Sequence, residues 1–205
     1  MELTNQKVEQ FKLFDLYSTE GLSPKDPALK PYINISARLL TKSCGRQLEK
    51  LAYIKTSIIE RIANRLSVPG HIGKKHKIIT SWSSGKYNRN MKTVLQALEI
   101  IAKKTGKNPI QVLIEAIENG SPRDEITVIE HAGARYPQSV DCSPIRRVNL
   151  AIRWIIQGSY TKSFGKKSKM ADTLANEIIS ASKAAMESYA MSKKNEAEKQ
   201  ADAAR

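Results

Sequence analysis

The 205-residue sequence contains only two cysteines, Cys44 and Cys142. That is too few for a disulfide framework and fits a reducing cytoplasm. No stretch reaches the roughly 18 consecutive apolar residues that a membrane-spanning helix needs. The first residues are polar and carry Glu2 and Glu9, so they do not read as a secretory signal. There are three histidines, His71, His76 and His131, none paired at helical i, i+4 spacing, and there is no CxxC. A zinc site is therefore not expected. The run Gly70-His71-Ile72-Gly73-Lys74-Lys75 lacks the spacing of a phosphate loop and follows a helical pattern, not a strand. Nucleophile-elbow and zinc-protease motifs are missing too. No cofactor, metal or catalytic residue is indicated, and the chain does not read as an enzyme.

Acids are also scarce. Twenty Asp and Glu stand against 34 Lys and Arg, for a net charge of +14 and a pI of about 9.8. Such an excess attracts polyanions, of which nucleic acid is the commonest for a chain of this kind. The 40% hydrophobic content is enough for a real core. Residues 1–30 hold four lysines and five acids, a net of −1, so the remainder carries +15. With the turn-rich stretch Gly21 to Pro27, these thirty residues read as an appendage distinct from the basic body at 31–205. In the body, Lys74, Lys75, Lys77, Lys86, Arg89, Lys92, Lys103 and Lys104 are opposed by Glu99 alone. Further on, Arg146, Arg147, Arg153, Lys162, Lys166, Lys167 and Lys169 are opposed by Asp141 alone. Aromatic side chains lie among them. Trp154 adjoins an apolar stripe and suits core packing, whereas Trp82 and Tyr87 fall in a polar stretch and suit either a surface or base stacking.

The apolar periodicity is mostly helical. Ile58, Ile59, Ile62 and Leu66 mark a first helix, with Ser57 and Glu60 spaced as a capping box. Met91, Val94, Leu95, Leu98 and Ile101 mark a second, closed by Gly106. Asn108 and Pro109 are an N-cap and first-turn proline for a third, with Ile110, Leu113, Ile114 and Ile117 inward. The β-branched run from Glu125 to Glu130, a short turn at His131 to Ala134, and a return from Arg135 to Cys142 predict a β-hairpin. Pro137 is tolerated there because both strands of a lone ribbon are edges. A fourth helix is predicted from about Pro144 to Ser159 and a fifth from about Lys169 to Ala185. On the fourth, Arg146 and Arg153 share the face opposite the core. A C-terminal helix, about 188–205, has a thin apolar stripe and reads as half-detached or docked on a partner.

Several of these stretches resemble signatures of the universal small-subunit ribosomal protein seven family in its archaeal and eukaryotic form. They are Asn108-Pro109-Ile110-Gln111-Val112-Leu113, Asn119-Gly120-Ser121-Pro122-Arg123, Gly133-Ala134-Arg135 and Ser143-Pro144-Ile145-Arg146-Arg147-Val148-Asn149, with Ser188-Tyr189-Ala190 and Lys193-Lys194 near the C-terminus. The likeness spans roughly residues 31 to 192. It implies a mainly α fold, a six-helix bundle with a protruding two-stranded β-hairpin (about 125–142) between helices three and four. It implies binding to the 3′ major domain of small-subunit ribosomal RNA, nucleation of head assembly, and a ribbon near transfer RNA and messenger RNA at the exit site. It also implies neighbouring small-subunit proteins as partners, and no membrane.

The cations expected to hold ribosomal RNA are Arg46, Lys50, Lys74, Lys75, Lys77, Lys86, Arg89, Lys92, Arg146, Arg147, Arg153, Lys166 and Lys167. The residues expected near transfer and messenger RNA are His131, Gly133, Ala134, Arg135 and Tyr136 at the hairpin tip. Two rivals remain on residues alone. A helical DNA-binding protein would use the fourth helix in the major groove, but a hairpin precedes it where a short turn would be required. An RNA-modifying enzyme would need a cofactor loop or acid–base pair beside the basic face, and neither is visible.

Overall fold

The computed structural model describes residues 12–36, 51–69, 71–72, 75–76 and 83–205. Among them are six α-helices: α1 (Ile58–Arg65), α2 (Tyr87–Thr105), α3 (Pro109–Gly120), α4 (Pro144–Ser163), α5 (Met170–Ser182) and α6 (Tyr189–Ala203). Strands β1 (His71–Ile72) and β2 (Lys75–His76) form a minimal antiparallel pair. Strands β3 (Asp124–His131) and β4 (Ala134–Asp141) form the expected ribbon between α3 and α4. No helix among the described residues is long and apolar enough to cross a membrane.

The third helix is buried over most of its surface. Asn108 caps it, its side-chain oxygen accepting from the Ile110 N–H at 3.1 Å, and Pro109 takes the first turn, where no N–H is needed. Ile110, Val112, Leu113, Ile114, Ala116 and Ile117 are all buried. Its burial therefore extends beyond a single stripe, because α5 and α4 cover it from different sides. Gly106 ends α2 in the left-handed conformation, φ 64°, as an αL cap should.

Other boundaries differ from the sequence expectation. Ser57 does head α1, but its hydroxyl caps nothing. The Ile58 N–H, another of the unpaired donors at this helix end, donates to the Asn34 carbonyl at 3.0 Å, so a distant segment satisfies one of them. Helix α2 begins at Tyr87, which packs against the core instead of lying in a polar loop. Helix α4 runs on to Ser163. The stretch set apart by its charge is anchored on the body: Leu13 and Leu29 are fully buried in the common core. The Asn108 amide donates to the Ser18 carbonyl at 2.8 Å, and the Asp26 N–H donates to Glu118 at 3.0 Å.

Helix α6 is polar, with only Ala190, Met191 and Ala201 buried, yet it docks on this same chain. Its start is fastened by Glu177, a fully buried carboxylate on α5. Glu177 accepts from Ser188 Oγ at 2.7 Å, from the Ala190 N–H at 3.3 Å and from Lys162 Nζ at 2.6 Å. These donors satisfy a charge that would otherwise be costly to bury. Gly158 permits the approach of α4: a Cβ there would stand 2.6 Å from Tyr189 Cβ. The rest of α6 lies along the foot of the ribbon and α4.

Candidate nucleic-acid interface

The predicted cations fall into distinct groups. Lys86, Arg89 and Lys92 are exposed over the first turns of α2, whose first turn holds no acid. Cations near a helix N-terminus oppose the positive end of the helix dipole. Their presence there is unfavourable for the helix itself and suits an external anion. Arg89 lines a small cleft with Asn90, Thr93, Tyr160 and Met170. The end of α4 and the start of α5 thus meet the start of α2. Lys166 and Lys167 lie in the connection between those helices and are exposed. The fold therefore gathers one basic end from two segments about 75 residues apart in the chain.

On α4 the arginines are not equivalent. Arg146 is ion-paired with Glu125 at the foot of the ribbon. Arg147 is mostly buried and donates to Asp26 Oδ2 at 2.9 Å. Burial works against the charged form of Asp26, but the Ala28 N–H, the Arg147 guanidinium and nearby Arg123 outweigh it and lower its pKa. Arg153 is exposed, about two helical turns further on, and faces a cleft with Arg61 and Arg65 of α1. So Arg146 and Arg153 share a face, as their spacing predicts, but Arg146 already holds a carboxylate. At the ribbon tip, Gly133 is exposed with φ 80°, Ala134 is half-buried, and Arg135 and Tyr136 are exposed. Arg135 lies 3.4 Å from Glu130, a solvated pair of little energetic weight. The predicted site residues Arg46, Lys50, Lys74 and Lys77 lie outside the described residues, as do the side chains of Lys75 and His131. Trp82 is outside them as well.

The family model for ribosomal protein S7p/S5e matches residues 38–205. The chain belongs to this family. The relatives it resembles include the small ribosomal subunit protein uS7 of Nanoarchaeum equitans, 44% identical over 197 residues. The uS7 of Methanococcus maripaludis strain C6 is 39% identical over 199 residues. Each alignment covers 96% of this chain and the whole of the relative. As a member of a ribosomal-protein family, the chain is a structural protein and not an enzyme.

Within this S7-family chain the aromatic side chains divide by burial. Trp154 and Tyr87 are partly buried against the core, and Tyr136 is exposed on the ribbon. Lys104, read from sequence as a solvated helix end, donates to Asn176 at 2.6 Å and remains exposed. The sequence reading missed Arg61 and Arg65. They stand at i, i+4 on α1, one turn apart on a single face. That spacing was available in the sequence, but the apolar stripe of the same helix drew the whole assignment.

Proposed function

We propose that this chain is a structural constituent of the small ribosomal subunit in the cytoplasm, bound to the 3′ major domain of small-subunit ribosomal RNA. In that role it nucleates head assembly and contacts neighbouring subunit proteins. The ribbon tip, with Gly133, Arg135 and Tyr136, then stands near exit-site transfer RNA and messenger RNA. The observation that carries the RNA-binding part is the basic end described above. Lys86, Arg89 and Lys92 crowd the start of α2 without an acid, beside exposed Lys166 and Lys167. Cations held where they disfavour their own helix are explained by an anionic partner. Family membership selects ribosomal RNA as that partner, and the small-subunit names of the relatives select the subunit.

Two measurements test this reading. Binding of a 3′ major-domain RNA fragment should weaken steeply with salt, as counterion release requires. The triple variant Lys86→Gln, Arg89→Gln, Lys92→Gln should flatten the log–log slope by roughly 1 for each phosphate that it leaves unneutralised. In a sucrose gradient the chain should travel with small subunits. An affinity that is flat in salt, or a preference for duplex DNA over the fragment, would sink the proposal.

A further inference from the structure

Helices α1 and α4 flank a cleft of about 410 Å³. Its lining includes Tyr53, Arg61, Asn64, Arg65, Asn149 and Arg153, with no carboxylate among the described residues. The three guanidinium groups have different surroundings. Arg61 is buried and engaged through both terminal nitrogens. It donates to the Tyr32 carbonyl at 2.7 Å and to Asn149 Oδ1 at 2.8 Å, and lies 5.6 Å from the centre of the Tyr53 ring. Asn149 in turn donates to Tyr53 Oη at 3.2 Å. These groups make a fixed floor. Arg65 is different: its Nη2 is buried without a hydrogen-bond partner among the described residues. Burial, and after it the nearby Arg153 charge, lowers the Arg65 pKa. Elsewhere Arg146, Arg147 and Arg205 each reach a carboxylate.

An unpaired buried donor beside a like charge destabilises the free protein. An anion between the two arginines would satisfy the donor and offset the repulsion. A guanidinium fork matches the oxygens of a phosphate bidentately. The cleft volume lies within the range of small-molecule pockets, so a phosphate with its attached sugar fits. We propose that the α1–α4 cleft takes one backbone phosphate of an RNA strand, held by Arg65 and Arg153 above the floor of Arg61, Asn149 and Tyr53. This rests on the RNA-binding reading above and adds a second anchoring point, on a different pair of helices from the basic end.

The test uses the full chain, the 3′ major-domain RNA fragment and three variants. Arg65→Met keeps the length and apolar stem but removes the charge and the orphan donor. It should melt at or above the wild-type temperature while binding the fragment about tenfold more weakly, with a salt slope reduced by roughly 1. Arg65→Lys restores the charge without the fork and should recover only part of the affinity. Arg61→Met, which breaks two hydrogen bonds of the floor, should lower the melting temperature. If Arg65→Met binds the fragment like wild type with an unchanged slope, the cleft is not a phosphate site. A lower melting temperature for Arg65→Met overturns it as well, since the residue is then structural. Failure of the wild-type chain to bind the fragment would overturn the RNA reading and this site with it. The Arg65→Met results alone overturn only the site.

Discussion

Cys142 shows how one position can report on the foot of the ribbon. Its N–H donates to the Arg123 carbonyl at 2.7 Å, closing the ladder, and its side chain is buried. Burial, and then neighbouring Glu125, push the thiol up to about 12, against a smaller opposing pull from Arg146 and Arg147. The native state therefore favours the protonated thiol. Stability from this group is fully present below the unfolded-state value of about 8.5. It is lost as pH rises from there toward 12, because the unfolded chain releases the proton first. The thiolate is the reactive species, so native Cys142 should label slowly with thiol reagents at pH 8. With Cys44 replaced by Ser, the native rate should fall well below the rate in denaturant. Equal rates would mean that the foot is open. Arg146 teaches a related lesson. Its place on the outer face was legible from helical spacing, but its partner Glu125 lies 21 residues away across the ribbon. Periodicity along one helix carries no information about such a contact.

At the scale of elements, the ribbon was legible because β-branched residues cluster from Ile126 to Ile129 and a Gly-containing turn follows. Its register is now explicit: Ile129 faces Tyr136 and Glu130 faces Arg135, with Ala132 and Gly133 at φ 50° and 80°. Two central residues with positive φ make a tight hairpin turn that Asn-Gly fits best. Replacing residues 130–135 by Asn-Gly therefore closes the ribbon on the Ile129–Tyr136 pair without shifting the register. Combined with Tyr136→Thr, it removes the charged and aromatic groups of the tip. The melting temperature should change little, as for other exposed changes of about 0.5 kcal/mol. Affinity for the 3′ major-domain fragment should also persist. Exit-site transfer RNA retention or reading-frame maintenance should suffer. Loss of fragment binding would instead put the main RNA site on the ribbon. The docking of α6 was not legible. Its few buried residues give almost no stripe, and what holds it is a set of polar contacts. Lys194 donates to the Asn119 carbonyl, the Arg123 N–H donates to Glu198, and Arg205 reaches Asp124 at 2.7 Å.

Across the whole molecule, the uneven charge was plain from composition, whereas the anchoring of residues 12–36 was not. Leu13 and Leu29 sit in turn-rich sequence without a period, so nothing local marks them as core. A chain lacking residues 1–30 tests how far that segment is separate. It is without two fully buried leucines and the Asp26–Arg147 tie. Each buried leucine truncated to alanine typically costs about 2–5 kcal/mol, so the shortened chain should be less stable by at least about 4 kcal/mol. Below its melting point it should bind the RNA fragment with an undiminished salt slope, because the missing segment carries a net charge of −1. An unchanged melting temperature would make the segment a true appendage. The ribbon has one more consequence at this scale. Each of its strands has eight residues, which at about 3.3 Å per residue gives an arm of roughly 26 Å. Its root is gripped from two sides, by Arg146 of α4 on Glu125 and by Arg205, just beyond α6, on Asp124. The arm is a cantilever with a built-in end. A sideways load at Tyr136 becomes a bending moment at that root, and the first turn of α4 and the far end of α6 are the parts of the bundle that must bear it.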